Sequence, residues 1–460
     1  MLVSFSVSNF RSFGEEQTLN MVASNKLTDH PGHLVPFGNA GRSLVRTATI
    51  YGANASGKSN LVRAMAAAQS AIIRPSRWKT SDYNPFAFRE SAKAEPTSFT
   101  FRFLLQDRIF EYGFDKQGGK VESEWLLVLD RNENEHVIFE RSEDGSTQLG
   151  TGLEKQFPED QESLTTLKVL AALPLDPTQL MLNRAYEIPR RVRGTTLASV
   201  IDWLTRNLVV VQADGLLSKR KMKLMDQISE NDEFRTLAQE FLQKIGTGID
   251  SIGVEFDDLS GVDARTAMNI KRMGVRTVDR EYLRDPDSPE KVRVRKIVAN
   301  HATDDFSAAL PFSEESDGTR KLLDLMTVFS TSHGEGRTVV IDELDRSLHP
   351  LICYEFLRLF SETQIGIRKQ LIVTTHEAHL LNQELLRRDE YWFVEKGADQ
   401  QSRLIPLTDY NVRNDLQIEK GYLQGRFGAI PVIGSTEAIE ELINRPERKG
   451  VHATQEAAAP

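Results

Sequence analysis

The sequence predicts an α/β fold in two halves, and three observations predict it. Strand patterns alternate with helix patterns near the start of the chain and again in its final third. A glycine-rich turn stands between a strand pattern and a helix pattern within residues 45–73. A more polar, helix-prone stretch separates the two halves, so the economical reading is one α/β domain with an inserted helical subdomain. The expected boundaries are 1–148 for the first half, with a mixed sheet, flanking helices and an antiparallel β part. A mostly helical insertion with short strands follows at 149–300, the second half at 301–445, and a disordered tail at 446–460.

The elements follow in order. "LVSFSVSNFRSF" sets Val3, Phe5 and Val7 against Ser4, Ser6 and Ser8, the period of an opening strand. Residues 45–52, "VRTATIYG", form a second strand that ends on glycine, and "KSNLVRAMAAAQSAII" continues as a helix rich in good helix formers. Short β patterns at 98–105, 108–115, 124–130 and 136–141 read as an antiparallel set. In the middle region "LASVIDWLTRNLVVV" and "EFRTLAQEFLQKIG" read as helices, and "SIGVEFDD" and "KVRVRKIVA" as strands. The final third alternates "RTVVIDE", "YEFLRLFSE", "KQLIVTTH" and "EYWFVEK".

Composition excludes several classes. The 460 residues exceed one compact core and suggest two or three structural units. Net charge is -9, from 57 basic and 66 acidic side chains, which argues against wholesale coating of nucleic acid. The single cysteine, Cys353, excludes an intrachain disulfide and a multi-cysteine zinc site, and fits a reducing cytoplasm. No run approaches the roughly 20 apolar residues of a membrane span, so no membrane partner is expected.

"GANASGKS", residues 52–59, meets every fixed position of a phosphate-binding loop and sits where the mechanism needs it, between strand and helix. Glycines let backbone N–H groups converge on phosphate oxygens, and the helix N-terminus favours their charge. Lys58 would reach the β- and γ-phosphates of a nucleotide, and Ser59 would ligate Mg²⁺. Gly52, Asn54, Gly57, Lys58, Ser59 and Asn60 are the candidate nucleotide contacts here. "TVVIDELDRSLHP" is an apolar strand ending in Asp342 and Glu343. Asp342 suits Mg²⁺ held through its water shell, and Glu343 suits polarisation of an attacking water. The pair also suits a plain acidic strand end that caps the following helix. "QLIVTTHEAHLL" ends another strand in His376, either a hydrogen-bonding γ-phosphate sensor or a structural histidine. The nearby His376-Glu377-Ala378-His379 has one residue too few for the helical zinc signature, and is rejected as one.

In this order the pieces resemble the ABC-type ATPases of the SMC, RecF and OLD-like branch. More narrowly they are similar to the bacterial ATP-binding group (AbiL-like) linked to abortive infection and phage defence. The resemblance spans nearly the whole chain and rests on "FSVSNFRSF", "YGANASGKSNL", "SEESDGTRKLLDL", "VVIDELDRSLHP", "IVTTHEAHLL" and "EKGYLQGRFGAIP". It implies an ABC-type ATPase head with Walker A at Lys58 and Ser59, a signature motif at Ser316 and Gly318, and Walker B at Asp342 and Glu343. "SLHP" then stands as the D-loop and His376 as the switch. ATP and Mg²⁺ are the implied cofactors, with Ser59 and Asp342 on the metal, Glu343 and His376 catalytic, and Ser316 and Gly318 contacting the nucleotide. A homodimer or higher homo-oligomer sharing an ATP sandwich is implied as well.

This chain departs from that pattern in three places. Glu314, Glu315 and Asp317 make the signature far more acidic than Leu-Ser-Gly-Gly. No glutamine stands out for the Q-loop; Gln69 and Gln106 qualify by position alone. The insertion is too short for a long coiled coil. Leu322, Leu325, Met326 and Phe329 recur at helical spacing, which predicts a helix from near Thr319 whose start suits either capping acids or a phosphate.

The residues after His376 contain no Asp-x-Asp pair, so a Toprim-type nuclease is not expected and a separate effector, a nuclease or toxin, is the implied partner. Basic clusters at Arg184, Arg190, Arg191 and Arg193, and at Lys219, Arg220, Lys221 and Lys223, suit either nucleic-acid phosphates or a solvated face. Lys291, Arg293 and Arg295 alternate on one strand face in the same way. Two functions therefore compete: a sensor ATPase controlling an effector, and a RecF/SMC-like ATPase acting on DNA. A transporter subunit fits less well, since the chain is far longer than that role needs.

Overall fold

The computed structural model describes residues 1–38, 41–73, 84–130, 134–156, 160–187, 195–213, 215, 224–258, 280–284, 292–330, 336–363, 368–410 and 418–428. The proposed tail at 446–460, and the basic residues 190–193 and 219–223, lie outside them.

A six-stranded sheet runs through the molecule in the order Leu208–Val211, Thr338–Ile341, Gln370–Thr374, Thr47–Tyr51, Tyr391–Lys396, Ser402–Pro406. Neighbouring strands are parallel until the last, which returns antiparallel. These strands are short Val- and Ile-rich runs because both of their faces are covered. Alternate residues divide the core accordingly. Ile50, Val210, Val340 and Ile372 pack with helix Lys58–Ile73 and the antiparallel strands. Tyr51, Val209, Ile341 and Val373 pack with Phe356 and Phe360 of helix Pro350–Thr363 and with Leu322 and Leu325 of helix Asp317–Met326.

The predicted antiparallel set is present within a seven-stranded sheet. Its meander runs through Thr97–Leu105, Arg108–Gln117, Lys120–Leu129 and Glu135–Arg141, and Leu2–Ser8 pairs beside Thr97–Leu105. The Gln370 side chain joins the two sheets: its oxygen accepts from Leu2 N at 2.6 Å and its amide donates to the carbonyls of Leu2 and Val45. A register shift between Leu2 and Ser4 corrects the opening-strand alternation. Leu2, Phe5 and Val7 enter the main core, whereas Val3 joins Met1, Val35 and Leu104 in a smaller cluster.

Among its described residues the middle region holds both helices and strands. Helices Gln161–Ala171, Met181–Glu187, Leu224–Glu230 and Asp232–Lys244 occur there, but so does a four-stranded antiparallel sheet containing Ser251–Asp258 and Val292–Ala302. The stretch read as one helix over 197–211 changes state twice. Thr195 caps helix Thr196–Asp202, a π turn covers Trp203–Asn207, and Leu208–Val211 becomes a strand of the central sheet. Three consecutive β-branched residues favour that strand, and a parallel neighbour on Thr338–Ile341 satisfies its backbone. Trp203 anchors the transition by stacking on Phe103, centroids 4.1 Å apart and planes 2° from parallel. Trp203→Ala is expected to cost about 3–5 kcal/mol of stability, read as a lower urea midpoint.

Cys353 is buried in helix Pro350–Thr363, where burial pushes its thiol up to about 12, so it stays an inert packing thiol. Among the described residues no helix is long and apolar enough to cross a membrane.

Candidate nucleotide site

Parallel strands bring their carboxyl ends to one edge of the sheet, where α/β folds bind ligands. Thr47–Tyr51, Thr338–Ile341 and Gln370–Thr374 deliver Gly52–Ser59, Asp342–Glu343 and His376 to that edge. The loop's backbone needs its glycines. A Cβ on Gly52 would stand 2.6 Å from the Val394 carbonyl oxygen, and Gly57 has φ 117° with Ser402 Oγ and Ser12 Oγ close by. Asn54 and Ala55 are exposed at the loop tip.

Lys58 is buried, and its Nζ donates to the carbonyls of Gly52 at 2.6 Å and Ala53 at 3.1 Å. Burial lowers its pKa to about 8, against the opposing pull of Asp342, Asp345 and Glu343. It is therefore still mostly protonated at neutral pH. Ser59 Oγ donates to Asp342 Oδ1 at 3.1 Å, joining residues from opposite halves of the chain. Thr374 Oγ1 donates to the same oxygen at 2.6 Å and accepts the Glu343 N–H at 2.8 Å. Glu343 itself has φ 55°, a left-handed conformation uncommon for a non-glycine residue. Its carbonyl, and that of Arg346, accept from Lys321 Nζ at 2.8 Å each.

His376 is exposed just past its strand. Burial of the surrounding edge, then Lys58, holds the imidazole below its ordinary pKa, while Asp345, Glu343 and Asp342 pull it upward. The loop lysine, the three carboxylates and the histidine thus share one electrostatic cluster.

Helix Asp317–Met326 begins two residues before Thr319, because Ser316 is its N-cap: Oγ accepts the Thr319 N–H at 3.0 Å. Ser316 is exposed. Gly318 lies against the turn at Ser347, where an added Cβ would come 2.6 Å from the Ser347 carbonyl oxygen. The contacts of these two residues therefore run to their own helix turn and to the turn at Ser347.

Residues 48–159 and 216–382 match the family described as "AAA domain, putative AbiEii toxin, Type IV TA system", which covers more than half of the chain. The chain belongs to this AAA-domain family. A search of curated proteins finds no match. Similar solved structures include an Smc head bound to the C-terminal winged-helix domain of ScpA, 15% identical with TM-score 0.40 over 88% of this chain and 96% of that one. An SMC head domain from Thermotoga maritima is 14% identical with TM-score 0.34, over 88% and 98% of the two chains.

In this AAA domain the two glutamines proposed for the Q-loop stand elsewhere. Gln69 is buried in the helix after the loop and donates to the carbonyls of Leu204 at 2.9 Å and Leu208 at 2.6 Å. Gln106 occupies a hairpin turn with φ 50°. The glutamine at the sheet edge is Gln212, which directly follows strand Leu208–Val211. With Val211, Ala213, Gly215, Lys321 and Asp342 it lines one small pocket. Reading 197–211 as a helix hid it; the available signal was a triple valine ending in a polar residue. No local pattern in the sequence marks Lys321, Thr374 or Asp345 for this edge.

Asn60 turns its amide to Ser12 Oγ at 2.8 Å, so it braces the opening "NFRSF" segment against the loop helix. From "EKGYLQGRFGAIP", Tyr422 packs on Tyr51 and Phe427 stacks on Phe393 with centroids 5.0 Å apart, beneath the loop; residues beyond Gly428 lie outside the described ones. Of the alternating basic strand, Arg295 turns to helix Leu224–Glu230 and pairs with Asp226 at 2.9 Å.

Among the described residues no cluster of three or more metal-ligating side chains occurs. Two oxygen donors, Ser59 and Asp342, match the modest protein share of a Mg²⁺ ion held largely by phosphates and water.

Proposed function

We propose that this AAA-family protein is an ABC-type ATPase that binds ATP with Mg²⁺, pairs head to head on it and hydrolyses it. The cycle serves as sensor and regulator of a separate effector in cytoplasmic anti-phage defence of the abortive-infection kind. The observation that carries the nucleotide reading is the junction of Ser59 with Asp342, held by Thr374 and flanked by buried Lys58. Lys58 and the N–H groups of the loop bind phosphates, and Ser59 and Asp342 hold the ion, which would draw charge from the transferring phosphoryl group. Glu343 takes the proton of the attacking water, His376 hydrogen-bonds at the γ-phosphate, and Gln212 orients water or ion from the neighbouring strand end.

Pairing is supported by Ser316 and Gly318, which sit at an exposed helix start against the D-loop segment. They close on the nucleotide of a second copy. The family description names a putative toxin of a type IV toxin–antitoxin system, and supports an output through growth arrest or death.

The test is phosphate release and molecular mass with and without Mg²⁺-ATP. Wild-type protein is expected to turn over ATP and to double its mass, and Lys58→Ala to lose about 10-fold or more in turnover. Equal turnover in Lys58→Ala sinks the reading.

A further inference from the structure

Asp345 stands three residues beyond Asp342, and its two carboxylate oxygens have different surroundings. Oδ2 accepts the backbone N–H of His376 at 3.2 Å. Oδ1 is buried and accepts no hydrogen bond from the described residues. The hydroxyl of fully buried Tyr51, at the end of the loop strand, is likewise without a partner. A buried carboxylate oxygen left without a hydrogen bond is destabilising, so the side chain is not placed there for stability.

Its own turn does not need that side chain. Leu344 N donates to the Thr374 carbonyl, Glu343 N to Thr374 Oγ1, Arg346 N to the Glu343 carbonyl and Leu348 N to the Asp345 carbonyl, all at 2.8–3.1 Å. The side chain's one hydrogen bond among the described residues instead crosses to the next strand end. Among the described residues it is the one hydrogen bond that His376 makes. Asp345 also acts electrostatically on both Lys58 and His376, favouring the protonated form of each.

We propose that Asp345 is a positioning residue. Its carboxylate ties the His376 backbone to the turn that carries Glu343, and so sets where the imidazole stands relative to Glu343 and Lys58. The inference rests on the ATPase reading above and deepens it by coupling the two strand ends.

The test is steady-state ATP hydrolysis by wild type, Asp345→Ala, Asp345→Asn, His376→Ala and the double variant Asp345→Ala/His376→Ala. Asp345→Ala is expected to lower kcat roughly 10- to 100-fold, as misplacement of a reacting group does, with KM for ATP within about two-fold. Asp345→Asn keeps an oxygen that accepts the His376 N–H and recovers most of the loss. The double variant is no slower than His376→Ala, because the two residues act as one unit. An unchanged kcat in Asp345→Ala overturns the proposal, and so do losses that multiply in the double variant. Should Asp345→Ala fail to fold, Asp345→Leu, which keeps much of the side chain's shape but has no acceptor, replaces it, and an unchanged kcat there is equally fatal. Wild-type turnover that does not depend on Lys58 overturns the ATPase reading and this inference together. Lys58-dependent turnover with a normal Asp345→Ala rate overturns the positioning role alone.

Discussion

Glu343→Gln is expected to reduce ATP turnover by about 10²- to 10⁴-fold, the range for loss of a general base, while ATP binding persists. The backbone at this position is pinned from both sides: Thr374 Oγ1 accepts its N–H and Lys321 donates to its carbonyl. Its φ of 55° is thereby imposed by the surroundings, and glutamine tolerates it as well as glutamate does. Shape, conformation and neighbours are conserved in the variant. What is lost is a carboxylate able to take a proton from water. The ATP-bound pair then accumulates, because it forms but does not discharge. Phosphate release, calorimetric ATP binding and light scattering on one preparation check all three parts. A normal rate in Glu343→Gln would remove Glu343 from the chemistry.

Ser316→Asp is expected to leave the fold intact and abolish ATP-driven pairing. Ser316 caps helix Asp317–Met326, and aspartate is as good an N-cap as serine, so the melting temperature holds within about 2 °C. Ser316→Ala would blur the result by removing the cap, at about 1 kcal/mol. If the exposed hydroxyl meets the γ-phosphate of a partner's nucleotide, the new carboxylate faces like charge. At about 4 Å and an effective dielectric constant near 20, that repulsion is roughly 4 kcal/mol, or about 10³-fold in pairing. Size measurement with ATP and the hydrolysis rate read the effect. Wild-type hydrolysis by a monomeric Ser316→Asp protein would reduce the stretch to a helix cap.

Legibility in the sequence followed the range of the physics involved. The loop at residues 52–59 was readable because its glycines and its lysine answer a local demand, a tight turn that offers N–H groups to phosphate. Asp342 and Glu343 were readable as the polar end of an apolar strand, and the antiparallel meander as strict period two. Gln212 was not readable, since Leu-Val-Val-Val fits a buried helix as well as a buried strand until a parallel partner is known. Val3 changed sides through a bulge that no alternation rule anticipates. Asn60 looked like a nucleotide contact from its position, whereas its amide is engaged by Ser12, which is distant in sequence.

By itself the sequence determined the kind of chemistry: a phosphate loop, a strand-end carboxylate pair, a candidate histidine, and an α/β frame to carry them. Those are properties of short segments, decided by backbone torsion and side-chain periodicity. The tertiary structure alone decided how the segments meet. It brought Ser59 to Asp342 across most of the chain, placed Gly318 against Ser347, made Leu208–Val211 a core strand, and tied Asp345 to His376. Such contacts depend on which strands become neighbours, and that choice is made by burying both faces of one sheet at once.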